Sequence, residues 1–218
     1  DNYRDTSYVD LGKHFIGRPR HISRTIDFML GQWSRRASID PARIGMFGHS
    51  AGGFTALVVA GAEPELAPGA AFCPGRPDAW TCRYLRPNGF TLEKQHDPRV
   101  KAIVVAAPAV GYAFDKASLG RVQVPVQLWA AGKDNVVDDS PQTIRAALPV
   151  APDYFFLAFA GHFSFLAPCN VQMRAIITVM HWFGTEAICG DPGGFDRKQF
   201  HLQFNAALVR FFATQLQH

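Results

Sequence analysis

The chain has 218 residues, of which 48% are apolar and 18% are charged. This composition supports a sizeable buried core and excludes intrinsic disorder as the main state. The formal net charge is +4, and the scattered cations form neither a basic stripe nor a known motif, so we expect no nucleic-acid partner. The longest apolar runs, at 102–107 and 155–160, fall far short of the about 18 residues of a membrane helix, so no transmembrane segment is expected.

The first predicted elements are a helix and a short strand. Residues 1–18 are polar and turn-like, whereas apolar residues recur at helical spacing over 19–36, with Pro19 at the first position. A short strand at 43–47 precedes a buried helix at 54–61. Residues 62–98 are dense in Pro and Gly, which predicts a loop-rich excursion from the core.

The rest of the chain alternates between strands and helices. Strands are predicted at 100–107, 126–130 and 154–160, and helices at 141–148 (with Ser140 as the N-cap), 171–183 and 196–215. This alternation predicts an α/β fold with a mainly parallel sheet flanked by helices, in one domain over 1–218.

The four cysteines bear on the cellular compartment. They form no Cys-x-x-Cys pair, and no His lies at zinc-finger spacing, so no metal site is expected. Three pairings are possible, and Cys73–Cys82 with Cys169–Cys189 is favoured because each pair lies within one loop-rich segment. Disulfides would indicate a periplasmic or secreted protein, and four buried thiols in a cytosolic protein are the alternative.

The sharpest motif is Gly-His-Ser-Ala-Gly-Gly at 48–53. It has the Gly-x-Ser-x-Gly pattern of a nucleophile elbow, between a predicted strand and a predicted helix. We expect Gly48 and Gly52 to be required because side chains there would collide at so sharp a turn. The pattern predicts Ser50 as a nucleophile and the amide of Ala51 as an oxyanion-hole donor.

A serine nucleophile needs a base and an acid that orients the base. After such an elbow, the acid and then the histidine follow, each just beyond a strand. Asp134 and His162 meet this condition and are the predicted acid and base, and such a triad needs no cofactor. The weaker candidates are Asp138 and Asp139 for the acid, and His49, His181 and His201 for the base.

Further motifs, taken together, resemble one bacterial family. They are Arg-Pro-Arg-His-Ile at 18–22, the elbow at 48–53, Asp-Pro-Arg-Val-Lys-Ala at 97–102, Val-Pro-Val at 124–126, Gly-Lys-Asp at 132–134, Gly-His-Phe-Ser-Phe-Leu at 161–166, Cys-Gly-Asp-Pro at 189–192, Phe-Asp-Arg at 195–197, and His201. The chain resembles the bacterial predicted dienelactone hydrolases related to platelet-activating-factor acetylhydrolases, within the α/β-hydrolase superfamily. The resemblance implies an α/β-hydrolase fold, a triad of Ser50, Asp134 and His162, and hydrolysis of a small-molecule or lipid-like carboxylic ester or lactone through an acyl-enzyme.

The chain departs from this pattern at its beginning. A complete α/β-hydrolase has several strands before the elbow strand, and a loop after one of them supplies the second oxyanion donor. Only 47 residues precede Gly48, and none is predicted as a strand. We therefore expect that the chain lacks the first strands of the fold. Either an N-terminal segment of the same protein completes the sheet, or a genuine truncation leaves a sheet edge and apolar surface exposed.

Other functions remain compatible with these motifs. A peptidase, thioesterase or acyltransferase could use the same triad, and a non-catalytic binding protein could keep the fold without a working oxyanion hole. Five aromatic residues either line a substrate pocket or simply pack: Trp80, Tyr84, Phe90, Phe163 and Phe165.

Overall fold

A computed structural model describes residues 11–65, 95–137, 139–180 and 188–217. These residues form a four-stranded parallel sheet in the order β1-β2-β3-β4. The strands are β1 (Ile44–His49), β2 (Val100–Ala106), β3 (Val126–Ala131) and β4 (Asp153–Leu157). The helices are α1 (Leu11–Gly31), α2 (Ala51–Val59), α3 (Lys116–Leu119), α4 (Ser140–Ala147), α5 (Val171–Met180) and α6 (Arg197–Gln215). No helix in these described ranges is long and apolar enough to cross a membrane.

Helices cover both faces of the sheet. Side chains alternate between the faces of a strand, so Gly48 of β1 faces α2, whereas Phe47 faces α6. Strands β2 and β3 are buried along nearly their whole length, which explains their continuous apolar sequences. The arrangement confirms the predicted α/β fold with a parallel sheet flanked by helices.

The register of the sheet brings three strand ends together. His49 at the end of β1 pairs with Ala106, Ala106 pairs with Trp129, and Trp129 pairs with Phe155 near the end of β4. The loops that follow β1, β3 and β4 therefore leave the sheet at the same edge. In open parallel sheets, this carboxyl edge is where ligand sites form.

Helix α1 begins earlier than the sequence predicts. The prediction that residues up to 18 are turn-like is wrong from Leu11 onward, and Pro19 lies inside α1 rather than at its first position. The missing proline N–H costs one hydrogen bond. The extra turns bury Phe15, whose ring lies 4.6 Å from that of Phe54 in α2, and this packing offsets the loss.

Two other local predictions also need correction. Ser140 does not cap α4, because Asp139 occupies the N-cap position and the Ser140 hydroxyl donates to the Pro108 carbonyl at 2.6 Å. Strand β4 ends at Leu157, and the chain turns back at Ala160, whose amide donates to the Leu157 carbonyl at 3.2 Å. Most of the excursion predicted at 62–98 lies outside the described residues.

Candidate active site

Ser50 lies in the sharp turn between β1 and α2. Its φ of 55° and ψ of −121° lie in a region that residues with side chains rarely adopt. The turn is held by backbone hydrogen bonds: the Ser50 amide donates to Ala106 at 2.9 Å, and its carbonyl accepts from Gly53 at 2.9 Å and Ala109 at 3.1 Å. Strain of this kind persists only where the surroundings hold it, and it is typical of functional sites.

The glycines of the motif differ in what they do. A Cβ on Gly48 would collide with the backbone carbonyl of Gly52, and a Cβ on Gly53 would lie 2.8 Å from the Cβ of Pro108. A Cβ on Gly52 would meet nothing within 4 Å. The prediction that crowding requires Gly52 is therefore wrong, and Gly53 is the second glycine that close packing demands.

Ala51 is the first residue of α2. The amides of the first helical turn have no acceptor within their own helix. An amide in this position is available to an anion formed beside Ser50.

His162 and Asp134 are hydrogen bonded to each other. His162 Nδ1 lies 2.8 Å from Asp134 Oδ2, and the two side chains are only 3% and 2% exposed. The other carboxylate oxygen, Asp134 Oδ1, accepts from the amides of Val136 at 2.8 Å and Val137 at 3.1 Å. Because a carboxylate only accepts, His162 Nδ1 carries the proton in this bond, which leaves Nε2 of the neutral ring able to take one.

His49 connects the elbow to the turn that carries His162. Its Nε2 lies 3.0 Å from the His162 carbonyl oxygen, and the two imidazole rings lie 4.7 Å apart. Burial, together with the nearby charge of His162, lowers the pKa of His49 to about 4. His49 is therefore neutral near pH 7, and its Nε2–H donates to the carbonyl. Its role in linking the two loops has no signal in the sequence, where it stands only as a weaker candidate base.

The remaining sequence candidates lie away from the bond between His162 and Asp134, or outside the described residues. Asp139 is exposed at the start of α4, and His201 lies on α6 with its Nε2 3.0 Å from the Ser164 carbonyl. Phe165 is buried and packs against His49 and Phe204, whereas Phe163 is half-buried with its ring 5.1 Å from His162. Candidates outside the described residues are Asp138, His181, Trp80, Tyr84 and Phe90.

A disulfide joins Cys169 to Cys189, with their Cα atoms 5.5 Å apart, and this confirms one predicted pair. Cys73 and Cys82 lie outside the described residues. Within the part of the chain that the structure describes, no group of three His, Cys, Asp or Glu side chains could hold a metal ion.

Comparisons with known proteins indicate which fold the chain has. No protein-family model and no curated protein matches the chain. Its structure resembles a ferulic acid esterase from Streptomyces cinnamoneus, with 16% identity, a TM-score of 0.52, and coverage of 98% of this chain and 52% of that one. The match to a carboxylesterase from Lactobacillus plantarum WCFS1 has 19% identity, a TM-score of 0.48, and coverage of 91% and 68%. That to a predicted CIB-like hydrolase from Thermoplasma acidophilum has 15% identity, a TM-score of 0.39, and coverage of 74% and 59%.

The fold defines the class of protein. The parallel sheet, its flanking helices and the likeness to the Streptomyces enzyme are those of an α/β-hydrolase fold. The chain spans about half the length of that esterase. The narrower resemblance to dienelactone hydrolases stays a prediction.

Proposed function

We propose that the protein is a serine hydrolase that cleaves carboxylic esters. Ser50 is the nucleophile, His162 the base, Asp134 the acid that orients it, and the Ala51 amide an oxyanion donor. The observation that carries the proposal is the buried hydrogen bond between His162 and Asp134, at the sheet edge where the strained elbow holds Ser50. The tether from His49 to the His162 carbonyl supports it, since it joins the two loops.

The chemistry follows from the proton positions. His162 Nε2 takes the Ser50 hydroxyl proton as the oxygen attacks the ester carbonyl, and the Asp134 carboxylate stabilises the imidazolium that forms. The Ala51 amide donates to the oxyanion of the tetrahedral intermediate. His162 then protonates the leaving alcohol, and water repeats the sequence on the acyl-enzyme to release the acid.

The proposed substrates are small-molecule or lipid-like esters, including lactones. The ferulic acid esterase among the structural neighbours and the resemblance to dienelactone hydrolases both favour this class over peptides and thioesters. No step of this mechanism calls for a cofactor. The disulfide Cys169–Cys189 supports a periplasmic or secreted location, because such bonds persist in oxidising compartments.

Ser50→Ala tests the proposal directly. Wild type should hydrolyse a p-nitrophenyl ester and take up one equivalent of a fluorophosphonate probe, and Ser50→Ala should lose the label and reduce kcat by about 10⁴-fold or more. Ser38→Ala, which removes an exposed serine hydroxyl on the Arg36–Ser38 turn, is the matched control and should behave as wild type.

Three outcomes contradict the proposal. One is ester hydrolysis by Ser50→Ala at the wild-type rate, and another is a label that stays on the protein after this substitution. The third is a labelled wild type that turns over peptides or thioesters but no oxygen ester, which would indicate one of the alternative acyl-transfer enzymes.

A further inference from the structure

A buried serine links the His162 turn to the C-terminal part of the chain. Ser164, which is 1% exposed, lies in the short turn His162–Phe165. Its hydroxyl accepts from the Gly161 amide at 3.0 Å and donates to Asp191 Oδ1 at 2.7 Å. The Ser164 hydroxyl therefore connects the Gly161 amide, just before His162, to the Asp191 carboxylate.

Asp191 is itself held firmly. Arg197, with its side chain 4% exposed, donates from Nε to Asp191 Oδ1 at 3.0 Å and to Oδ2 at 2.9 Å. Its two Nη groups donate to the carbonyls of Ile188 at 2.9 Å and Gly190 at 2.7 Å. The disulfide to Cys169 ties the same short segment to the chain just after the His162 turn. Asp191 is thus held by its ion pair with Arg197, while the Arg197 bonds to the neighbouring carbonyls and the disulfide at Cys189 hold the segment around it.

The charge on Asp191 sets the direction of the hydroxyl proton. A hydroxyl has one hydrogen to donate, and a carboxylate can only accept. The Ser164 proton must therefore point at Asp191, which leaves the oxygen lone pairs free for the Gly161 N–H. A hydrogen bond to a charged group is also shorter and stronger than a neutral one, so this arrangement resists rotation.

Three separate elements thus converge on the turn: His49 from the elbow, His201 from α6, and Asp191 from the C-terminal segment. Of these three, Asp191 engages the turn through a carboxylate, as Asp134 does at His162. On the basis of the proposed function, we propose that Asp191 is a positioning residue for His162, acting through Ser164 to fix the orientation in which the imidazole meets Asp134 and Ser50.

The expected effect is on turnover rather than on binding. Displacing a catalytic group by about 1 Å can reduce the rate about 100-fold, because the reacting atoms then leave their productive geometry. Ser164→Ala and Asp191→Leu should therefore lower kcat for a p-nitrophenyl ester by about 10- to 100-fold with KM within about twofold of wild type. The rate of fluorophosphonate labelling at Ser50 should fall in parallel, and the acid limb of the kcat/KM profile, which reports the base, should shift.

Two further variants separate positioning from simple destabilisation. Asp191→Asn keeps an oxygen that accepts from Ser164, so it should recover most of the kcat that Asp191→Leu loses. Asp196→Ala is the matched control: Asp196 lies in the same segment, but its carboxylate caps α6 by accepting from the Gln199 amide at 3.0 Å. It should lower Tm and leave kcat and the acid limb unchanged.

The results can distinguish this inference from the proposed function. If the wild type is active and a folded Ser164→Ala variant has a kcat within twofold of the wild-type value, the inference is wrong and the proposed function stands. The inference is also wrong if Asp191→Leu and Asp196→Ala both lose kcat in proportion to their losses in Tm. If Asp191→Leu does not fold, the result for Ser164→Ala decides. A wild type that neither hydrolyses the ester nor takes the label overturns both.

Discussion

Lowering the pH should destabilise the protein through His49 in particular. The ordinary pKa of a histidine is 6.5, and burial with the nearby charge of His162 lowers that of His49 to about 4. As the pH falls below 6.5, the unfolded chain binds a proton at this residue that the folded chain does not bind until about pH 4. Because the unfolded state binds more protons in this range, the free energy of unfolding must fall as the pH falls.

The size of the effect follows from the two pKa values. A difference of one pH unit between the folded and unfolded pKa corresponds to about 1.4 kcal/mol. The His49 contribution should cost about 2 kcal/mol of stability by pH 5 and about 3 kcal/mol by pH 4, relative to pH 7. This is a large share of the roughly 5–15 kcal/mol that holds a typical domain together.

Urea unfolding followed by tryptophan fluorescence at several pH values from 7 to 4.5 measures this effect. Other groups also contribute to the pH dependence of stability, so the comparison must be with His49→Gln. Glutamine cannot take up a proton, but its amide can still donate to the His162 carbonyl. Between pH 7 and pH 5, the free energy of unfolding of wild type should fall by about 2 kcal/mol relative to that of His49→Gln. A difference between the two proteins that stays constant from pH 7 to 4.5 would refute the reasoning.

Two other substitutions probe the elbow and the opposite edge of the sheet. Gly48→Ala should lower the free energy of unfolding by about 2–3 kcal/mol and abolish labelling at Ser50, because the new Cβ meets the Gly52 backbone. Gly52→Ala should leave Tm nearly unchanged, and equal Tm values for the two variants would contradict this. Asp97, with its side chain 4% exposed, pairs with Arg99, whose hydrogen bonds lower the pKa of Asp97 to about 2. Asp97→Asn should lower the free energy of unfolding, measured in urea, by about 1–3 kcal/mol. It should leave kcat per folded molecule unchanged, since the pair lies before β2, at the edge of the sheet away from Ser50, and a specific loss of kcat would argue against this.

The sequence predicts the parts of the site that follow local rules. The elbow at Ser50 and the strand-end positions of Asp134 and His162 depend on neighbouring residues, so pattern and spacing are enough to find them, and the structure brings Asp134 and His162 into contact. The sequence wrongly predicts Ser140 as an N-cap because its hydroxyl bonds to Pro108, 32 residues away, and a distant partner leaves no local pattern. Asp191 and Arg197 stand in motifs that the sequence shows, but only the fold shows that they pair with each other and that Asp191 bonds Ser164.

Helix α1 illustrates a second reason for error. A proline normally marks the start or end of a helix, so the sequence predicts that α1 begins at Pro19. The helix continues through it to Leu11 because Phe15 packs on Phe54 in another helix. Tertiary packing overrides local preference here, and a single sequence does not show which aromatic residue will find a partner.

The bond between His49 and the His162 carbonyl has a consequence for how the protein would acquire the proposed activity. The two residues are 113 positions apart, and strands β2 and β3 must be in place between them. Contacts over such distances form slowly, because the chain must close a long loop before they contribute any stability. Collapse and helix formation should therefore run ahead of catalysis during refolding. The return of fluorophosphonate reactivity would time the final docking of the two loops, which far-UV circular dichroism would not detect.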